Sequence, residues 1–160
     1  MREILDVIKK QIVNMIICKE KSDKVQFNII KSSLDVILRK WCDEKPIVFI
    51  SINALKKAKI VNIDLSKMKW KDQKKFDPKR KVFHYEHKYP ISDMINDMLT
   101  HPKSIEDIMN KYEVGWILKE EDKKLKSHNR NNHDKEYTDK GISIKKLNQN
   151  TDYIGLLFLI

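Results

Sequence analysis

The chain has few of the residues on which several enzyme classes depend, since its 160 residues include three glycines, four prolines and two cysteines. Loops that cradle nucleotide phosphates are rich in glycine, and one large class of serine hydrolases carries its nucleophile in a Gly-x-Ser-x-Gly turn. Neither pattern is present. We therefore set aside kinases, dinucleotide-dependent enzymes and serine hydrolases of that class.

The two cysteines, Cys18 and Cys42, each lie in a helical pattern and are flanked by apolar residues. Their number and spacing fit neither a disulfide framework nor a zinc ribbon. We expect two buried free thiols in a protein of the reducing cytoplasm.

Long apolar runs are also missing, because none approaches the roughly 20 residues that cross a bilayer. Glu3 and Asp6 stand where a signal peptide would have its basic region. The apolar residues 153–160 are too short to span and are expected to form a buried strand, with docking on a partner as the alternative. The sequence thus predicts no membrane partner.

The hydrophobic content of 41% in 160 residues is enough for one real core and predicts a single domain. Apolar residues recur at helical spacing over residues 4–16 and 27–41, with a polar break at 21–23. The fold class predicted is α+β, with a helical hairpin over residues 1–45 packed on a small mixed β-sheet formed by residues 46–160. Strands are expected near Ile47, Val82, Val114, Ile142 and Ile154.

Further helices are expected between and after these strands. One should be capped by Ser92, and another should begin at Ser104, with Asp107 completing the cap. A third should run over residues 119–125. Residues 127–139 contain almost no apolar residue and predict an exposed loop.

Positive charge is concentrated in one third of the chain. The formal net charge is +10, and residues 56–88 hold twelve basic residues against four acidic ones. Such a segment favours a polyanionic partner, because lysines neutralise phosphates while an aromatic side chain stacks on a base. The candidate nucleic-acid contacts are Trp70, Lys71, Lys74, Lys75, Lys79, Arg80, Lys81 and Arg130. The alternative is a solvated loop pinned by Trp70.

Two imidazoles and a carboxylate fall within four residues at the end of the basic segment, in the run Phe83-His84-Tyr85-Glu86-His87. Side chains of a strand alternate between its faces, so His84 and Glu86 should point one way and His87 the other. Histidine titrates near neutral pH and serves as a general base or a metal ligand. The alternative is a surface strand whose histidines and glutamate pair with lysines.

The order of a strand ending in Glu86-His87, then Pro90, an apolar helix, and later a strand over 114–118 followed by a short helix resembles the HNH or ββα-metal nuclease superfamily. The resemblance covers residues 80–133. It implies that His87 is the general base and that Glu86 helps bind a metal. Asp122 stands where the family often has a metal-binding histidine, and the supporting candidates are His84 and Asn110 for catalysis and His128 for the metal. Carboxylates suit Mg²⁺ or Mn²⁺.

These observations predict a metal-dependent endonuclease that hydrolyses phosphodiester bonds, with DNA favoured over RNA, of the kind used in restriction or by mobile elements. A homodimer would suit cleavage of both strands of a duplex. Two alternatives stay open. One is a metal-independent ribonuclease that uses His84 and His87 as base and acid, and the other is a non-catalytic basic protein that binds nucleic acid.

Overall fold

A computed structural model describes residues 2–125 and 133–147 and shows an α+β fold, with eight helices and one four-stranded mixed sheet in those residues. The helices are α1 (Arg2–Glu20), α2 (Lys24–Asp43), α3 (Ile52–Ile60), α4 (Gln73–Phe76), α5 (Ile91–Thr100), α6 (Ile105–Asn110), α7 (Lys119–Asp122) and α8 (His133–Asp139). The strands are β1 (Ile47–Ser51), β2 (Phe83–His87), β3 (Val114–Leu118) and β4 (Ile144–Lys146). None of the described helices is long and apolar enough to cross a membrane.

The described residues group into two compact units. The helical unit comprises residues 2–44 and 89–112, and the sheet unit comprises residues 45–88, 113–125 and 133–147. In the sequence, residues 89–112 thus lie between two strands of the sheet unit, β2 and β3.

The helical unit contains the predicted hairpin, which is confirmed. Helix α2 begins after Asp23, whose carboxylate accepts a hydrogen bond from the Gln26 amide at 3.0 Å and so satisfies a donor in the first turn. Helices α1 and α2 contact each other and α5. Their buried apolar residues recur every three or four positions, as one face of a helix requires: Ile8, Ile12 and Met15 on α1, and Ile30, Leu34, Leu38 and Cys42 on α2. Cys18 and Cys42 are both buried thiols, as predicted.

The helix expected to be capped by Ser92 already begins at Ile91. Pro90 is its N-cap, and Ser92 lies inside the first turn, so the predicted serine cap was wrong. A helix starts readily after proline, because the ring restricts the backbone and there is no proline N–H left to satisfy. Ser104 does precede α6, but its side chain makes no capping hydrogen bond.

The sheet has the strand order β2-β3-β1-β4. Strands β1 and β3 are parallel, whereas β2 and β4 pair antiparallel with β3 and β1. The strands expected near Ile47, Val82 and Val114 are confirmed. The last strand begins at Ile144 rather than at Ile142, which is buried just before it, and Ile154 lies outside the described residues.

The loop prediction for residues 127–139 was wrong over residues 133–139, which form α8. The helix has no apolar stripe in the sequence, because Tyr137 is its only large apolar residue. That one side chain is 3% exposed and packs in a core cluster with Phe49, Ile117 and Ile142. Residues 127–132 lie outside the described part of the chain. Helix α7 is shorter than expected and ends at Asp122.

Gly115 allows β1 and β3 to approach each other where the pairing register shifts between Ile47 and Phe49. A Cβ atom at Gly115 would overlap the carbonyl oxygen and the ring of Phe49. The ring of Phe49 in turn lies against Tyr137, with ring centroids 6.0 Å apart. Glycine is therefore required here by close backbone approach rather than by a turn.

We predict that Gly115→Ala lowers the free energy of unfolding by about 3 kcal/mol, because Phe49 and β1 must shift to admit the methyl group. Gly141→Ala is the matched control. Gly141 has a φ of +68° and open space around it, so alanine there costs only backbone strain of about 1 kcal/mol. Urea unfolding of both variants measures the difference, and equal losses would contradict the steric explanation.

Candidate functional site

Polar residues gather at the edge of the sheet where the parallel strands β1 and β3 end. Strand β1 leads into α3 at Ser51, and β3 leads into α7 at Leu118. Strand β2 begins at the same edge, because it runs antiparallel to β3 and Phe83 pairs with Leu118. The carboxyl ends of parallel strands are the usual place for binding sites in α/β sheets.

Glu121 joins these two strand ends. Its side chain is 2% exposed and accepts three hydrogen bonds. The donors are the Ser51 hydroxyl at 2.6 Å, the Leu118 amide at 2.8 Å and the Asn53 side-chain amide at 3.0 Å. The Ser51 oxygen also accepts the Ala54 amide and thereby caps α3. Glu121 thus fixes the start of α7 and, with it, the direction of the next residue, Asp122.

His84, Glu86 and Asp122 come together beside this edge, and we call them the carboxylate–imidazole cluster. His84 Nε2 lies 3.4 Å from Glu86 Oε2 and 3.5 Å from Asp122 Oδ1. One potential ligand atom from each residue lies within 4.8 Å of the other two. The side chain of Glu86 is 4% exposed, while those of His84 and Asp122 are about one-third exposed. The cluster is therefore buried at Glu86 and open to solvent at His84 and Asp122.

Glu86 is held from its far side by α8. The Tyr137 hydroxyl donates to Glu86 Oε1 at 3.0 Å, while Oε2 faces His84. The two carboxylate oxygens are therefore engaged differently, one by a neutral phenol and one by an imidazole. This arrangement fixes the orientation of the buried carboxylate.

His87 lies on the other face of β2, as strand alternation predicts. Its ring contacts that of Tyr85 with centroids 5.7 Å apart, and Tyr85 in turn packs edge-on against Trp116. The cluster contains His84 and Glu86 but not His87. The neighbouring basic residue, Lys88, does not pair with the cluster either.

Lys88, the residue after β2, instead forms two ion pairs. Its ammonium lies 2.7 Å from the carboxylates of both Glu113 and Asp134. Burial opposes the charge on this ammonium, but the hydrogen bonds to Asp134 and Glu113 outweigh burial and raise the pKa of Lys88.

The remaining predicted residues lie elsewhere. Asn110 is the last residue of α6, is exposed, and belongs to the helical unit, whereas the cluster belongs to the sheet unit. His128 and Arg130 lie outside the described residues.

The basic segment is anchored to the sheet by Phe76 rather than by Trp70. The Phe76 ring lies 5.8 Å from Phe83 and 5.6 Å from Trp116, and the Trp116 indole N–H donates to the carbonyl of Met68 at 3.0 Å. Trp70 is 41% exposed, and the guanidinium of Arg80 lies 4.1 Å from the centre of its ring. This cation–π contact leaves an exposed indole edge beside a positive charge.

The predicted lysine contacts around this pair are all exposed: Lys71, Lys74, Lys75, Lys79 and Lys81. Lys75 pairs with Asp72 at 2.6 Å. The segment therefore presents a positive surface to solvent, with Trp70 and Arg80 within it.

Asp77 holds the loop that carries Lys79, Arg80 and Lys81. Its carboxylate accepts hydrogen bonds from the amides of Lys81, Val82 and Phe83 at 2.8 to 3.0 Å. Burial acts to raise the pKa of Asp77, but the amides of Phe83, Lys81 and Val82 stabilise the charged form and lower it below the ordinary value. Arg80 has a φ of +47°, a strained conformation that this loop closure maintains.

Sequence reasoning did not identify Glu121, Ser51, Asn53 or Tyr137 as parts of the site. Ser51 ends a buried strand and Asn53 follows it closely, which is a position that favours polar contacts at a sheet edge. Glu121 stands three residues after the last strand residue, Leu118, at the position that reaches back to a helix N-cap. Both signals were present in the sequence, whereas nothing local distinguished Tyr137.

Comparison with known proteins does not assign the chain to a family. No protein-family model matches it, and neither the curated proteins nor the solved structures contain a match.

We predict that Glu121→Ala lowers the free energy of unfolding by about 3 kcal/mol, because it leaves the Ser51 hydroxyl and the Leu118 amide buried without their acceptor. Glu121→Gln should cost less, since a carbonyl oxygen can still accept from both groups. Thermal and urea unfolding measure the two losses. Equal losses for Ala and Gln would contradict the hydrogen-bonding role of Glu121.

We predict that Asp77→Asn lowers stability at pH 7 by about 2 kcal/mol, because an amide nitrogen would face backbone N–H donors. Since the folded pKa of Asp77 is lowered, its contribution is present above the ordinary value of 3.8 and is lost as the pH falls through the folded pKa. The variant should therefore lose less stability than wild type on acidification below pH 3.8.

Asp72→Asn is the control for Asp77→Asn, because Asp72 is an aspartate of the same segment whose main contact is with the exposed ammonium of Lys75. It should leave the free energy of unfolding at pH 7 nearly unchanged. Equal destabilisation by the two substitutions would contradict the anchoring role of Asp77.

Proposed function

We propose that the carboxylate–imidazole cluster holds a divalent cation and that the protein is a cation-dependent nuclease. The observation that carries this proposal is the convergence of His84, Glu86 and Asp122, from a strand and a separate helix, to within 4.8 Å of one another. The residues that orient two of them, Tyr137 and Glu121, are buried. Such support for ligand side chains is typical of metal sites.

The donor set fits some cations better than others. One imidazole with two carboxylates suits Mn²⁺ or Zn²⁺, whereas Mg²⁺ prefers oxygen ligands alone. We therefore expect Mn²⁺ to bind more tightly than Mg²⁺. When bound, the cation would supply the acidity that generates hydroxide from water at neutral pH and the charge that stabilises a phosphate in the transition state.

The chain contributes the other requirements of phosphodiester cleavage. The buried carboxylate of Glu86 is kept in place by Tyr137, and Asp122 follows the Glu121 anchor, so both are preorganised. The positive surface around Trp70 and Arg80 belongs to the same unit as the cluster and would neutralise the phosphates of a bound strand. DNA is our proposed substrate.

The proposal assigns His84, rather than His87, to the reacting centre. His84 Nε2 lies near both carboxylates, whereas His87 lies on the opposite face of β2 beside Tyr85. The same alternation directs the two imidazoles away from each other, which disfavours a mechanism in which His84 and His87 act as a base and acid pair on one phosphate.

The decisive test measures Mn²⁺ binding by calorimetry and cleavage of supercoiled plasmid with Mn²⁺, with Mg²⁺ and with EDTA. We expect Glu86→Gln and Asp122→Asn to weaken Mn²⁺ binding at least about tenfold and to reduce cleavage about 100-fold or more. The matched controls are Glu120→Gln, an exposed acid on the same short helix, and His101→Asn, an exposed histidine for comparison with His84→Asn. Cleavage that persists in EDTA would refute the proposal.

The variant His87→Gln tests whether His84 or His87 lies at the reacting centre. We expect this variant to keep cation binding and cleavage if it remains folded by circular dichroism. Loss of cleavage in His87→Gln, together with full activity in His84→Asn, would return His87 to the role that the family resemblance assigns.

A second candidate function is nucleic-acid binding without catalysis, and the contact between Arg80 and Trp70 favours it. It predicts salt-sensitive binding of DNA, lost in Trp70→Ala and in the charge-neutral variant Arg80→Gln, and unaffected by Glu86→Gln. Binding with these properties and no cleavage under any metal condition would support this function instead.

A further inference from the structure

Helix α2 has apolar residues on both of its faces. Leu34 and Leu38 are fully buried, whereas Val36, between them, is 51% exposed. At 3.6 residues per turn, Val36 lies about 200° from both leucines and so points directly away from the core. Val25 and Ile29, which are 72% and 55% exposed, continue the same stripe towards the start of the helix. A helix that is apolar on both faces is usually buried on both.

Charged residues are absent from the middle of this outer surface. The exposed residues of α2 between positions 25 and 36 are Val25, Gln26, Asn28, Ile29, Ser32, Ser33 and Val36, which we call the uncharged face. By contrast, 35% of the residues in the chain are charged, and the exposed side of α1 mixes apolar residues with charged ones such as Asp6, Lys9 and Lys10. Depletion of charge is the compositional mark of the centre of a protein interface.

Ser33 in this face behaves as a small, nearly apolar residue. The Ser33 hydroxyl donates to the carbonyl of Ile29 at 3.0 Å, one turn earlier, so its donor is satisfied within the helix. Beyond the face, Arg39 forms a bidentate ion pair with Asp35 at 2.7 and 3.2 Å, which compensates the charge of Arg39, while Lys40 stays exposed at that end. Small residues allow two helices to approach closely.

The charge of the chain and the pattern of the uncharged face favour a second copy of the chain as the binding partner. Two copies of a chain with a net charge of +10 repel each other, so they meet at least cost where neither surface is charged. If two α2 helices pair antiparallel about a two-fold axis between Ser32 and Ser33, Ile29 faces Val36 of the second copy, and the reverse contact forms as well. The same register sets Val25 against the aliphatic stem of Lys40.

We propose that the uncharged face of α2 is a self-association surface, on which two copies of the chain pair through antiparallel α2 helices. The stripe from Val25 to Val36 is about 17 Å long, so one helix pair buries less than the roughly 800 Å² per partner of an ordinary stable complex. The dimer is therefore weak, with a dissociation constant on the order of 10 to 100 µM.

The first test is sedimentation equilibrium of the full chain from about 5 µM to about 500 µM, a range that brackets this constant. Wild type should change from monomer to dimer across this range. Added salt should strengthen the dimer, because it screens the repulsion between two copies of charge +10. A chain that stays monomeric throughout, as expected if the face binds only an unrelated protein, overturns the proposal.

Ile29→Glu should weaken the dimer at least about tenfold, since it places an unpaired carboxylate in an apolar contact. It also lowers the net charge, so weaker association would not result from repulsion. Ile60→Glu is the matched control, because Ile60 is 77% exposed and lies on α3 outside the face. Equal weakening by the two substitutions would contradict the assignment of the surface.

An introduced charge pair tests the register of the two α2 helices. Val36→Lys alone should also weaken the dimer. The double variant Ile29→Glu with Val36→Lys should regain at least about tenfold of the lost affinity, because the introduced carboxylate and the introduced ammonium would meet across the axis twice. Circular dichroism confirms that each variant is folded. A double variant no tighter than the singles contradicts the antiparallel pairing.

A cross-link reports the geometry independently. Ser32→Cys should form an intermolecular disulfide under mild oxidation, because positions 32 and 33 meet at the axis, while Cys18 and Cys42 are buried. Lys57→Cys, at an exposed position of α3, is the control and should not cross-link faster than free thiols in solution. Equal rates for the two cysteines contradict the proposal.

Discussion

The buried carboxylate of Glu121 is the interaction on which the sheet edge depends. It accepts from the end of β1, from the end of β3 and from the first turn of α3, so one side chain ties three elements together. A carboxylate in such a position is costly unless its oxygens are satisfied, and here three donors satisfy them. The position of Asp122, and with it the open side of the carboxylate–imidazole cluster, follows from this arrangement.

A second series of contacts connects the core of the sheet unit to the cluster. Gly115 leaves space for the ring of Phe49, Phe49 packs against Tyr137, and Tyr137 donates to Glu86. The absence of a side chain at one position of β3 is thus connected, through two aromatic rings, to the orientation of a buried carboxylate. Gly115 and Tyr137 therefore both help to determine the orientation of Glu86, although neither belongs to the cluster.

Much of the fold could be predicted because the signals were local. The apolar periodicity of α1 and α2 and the compact apolar run of β1 predicted the elements that the structure contains. Strand alternation also predicted that His84 and Glu86 share a face. These features depend only on the sequence spacing of side chains along one element.

What could not be predicted depends on contacts between residues distant in sequence. Helix α8 has one apolar residue and is held by the core that Tyr137 enters, so no local pattern distinguished it from a loop. The expectation that Asp122 shares a site with Glu86 came from the family resemblance and not from a local pattern, because their convergence requires the register of β2 against β3. For the same reason, Phe76 could not be recognised as an anchor until Trp116 and Phe83 were found beside it.

The insertion of residues 89–112 between β2 and β3 has a consequence for how the chain folds. These strands pair antiparallel over five residues, from Phe83 with Leu118 to His87 with Val114, yet the connection between them is two helices rather than a tight turn. Closing a long connection costs more entropy than closing a short one, and a preformed helical segment shortens the distance that diffusion must search. We therefore expect assembly of the central strand pair, and of the cluster it carries, to depend kinetically on formation of α5 and α6, although neither helix contributes a residue to that cluster.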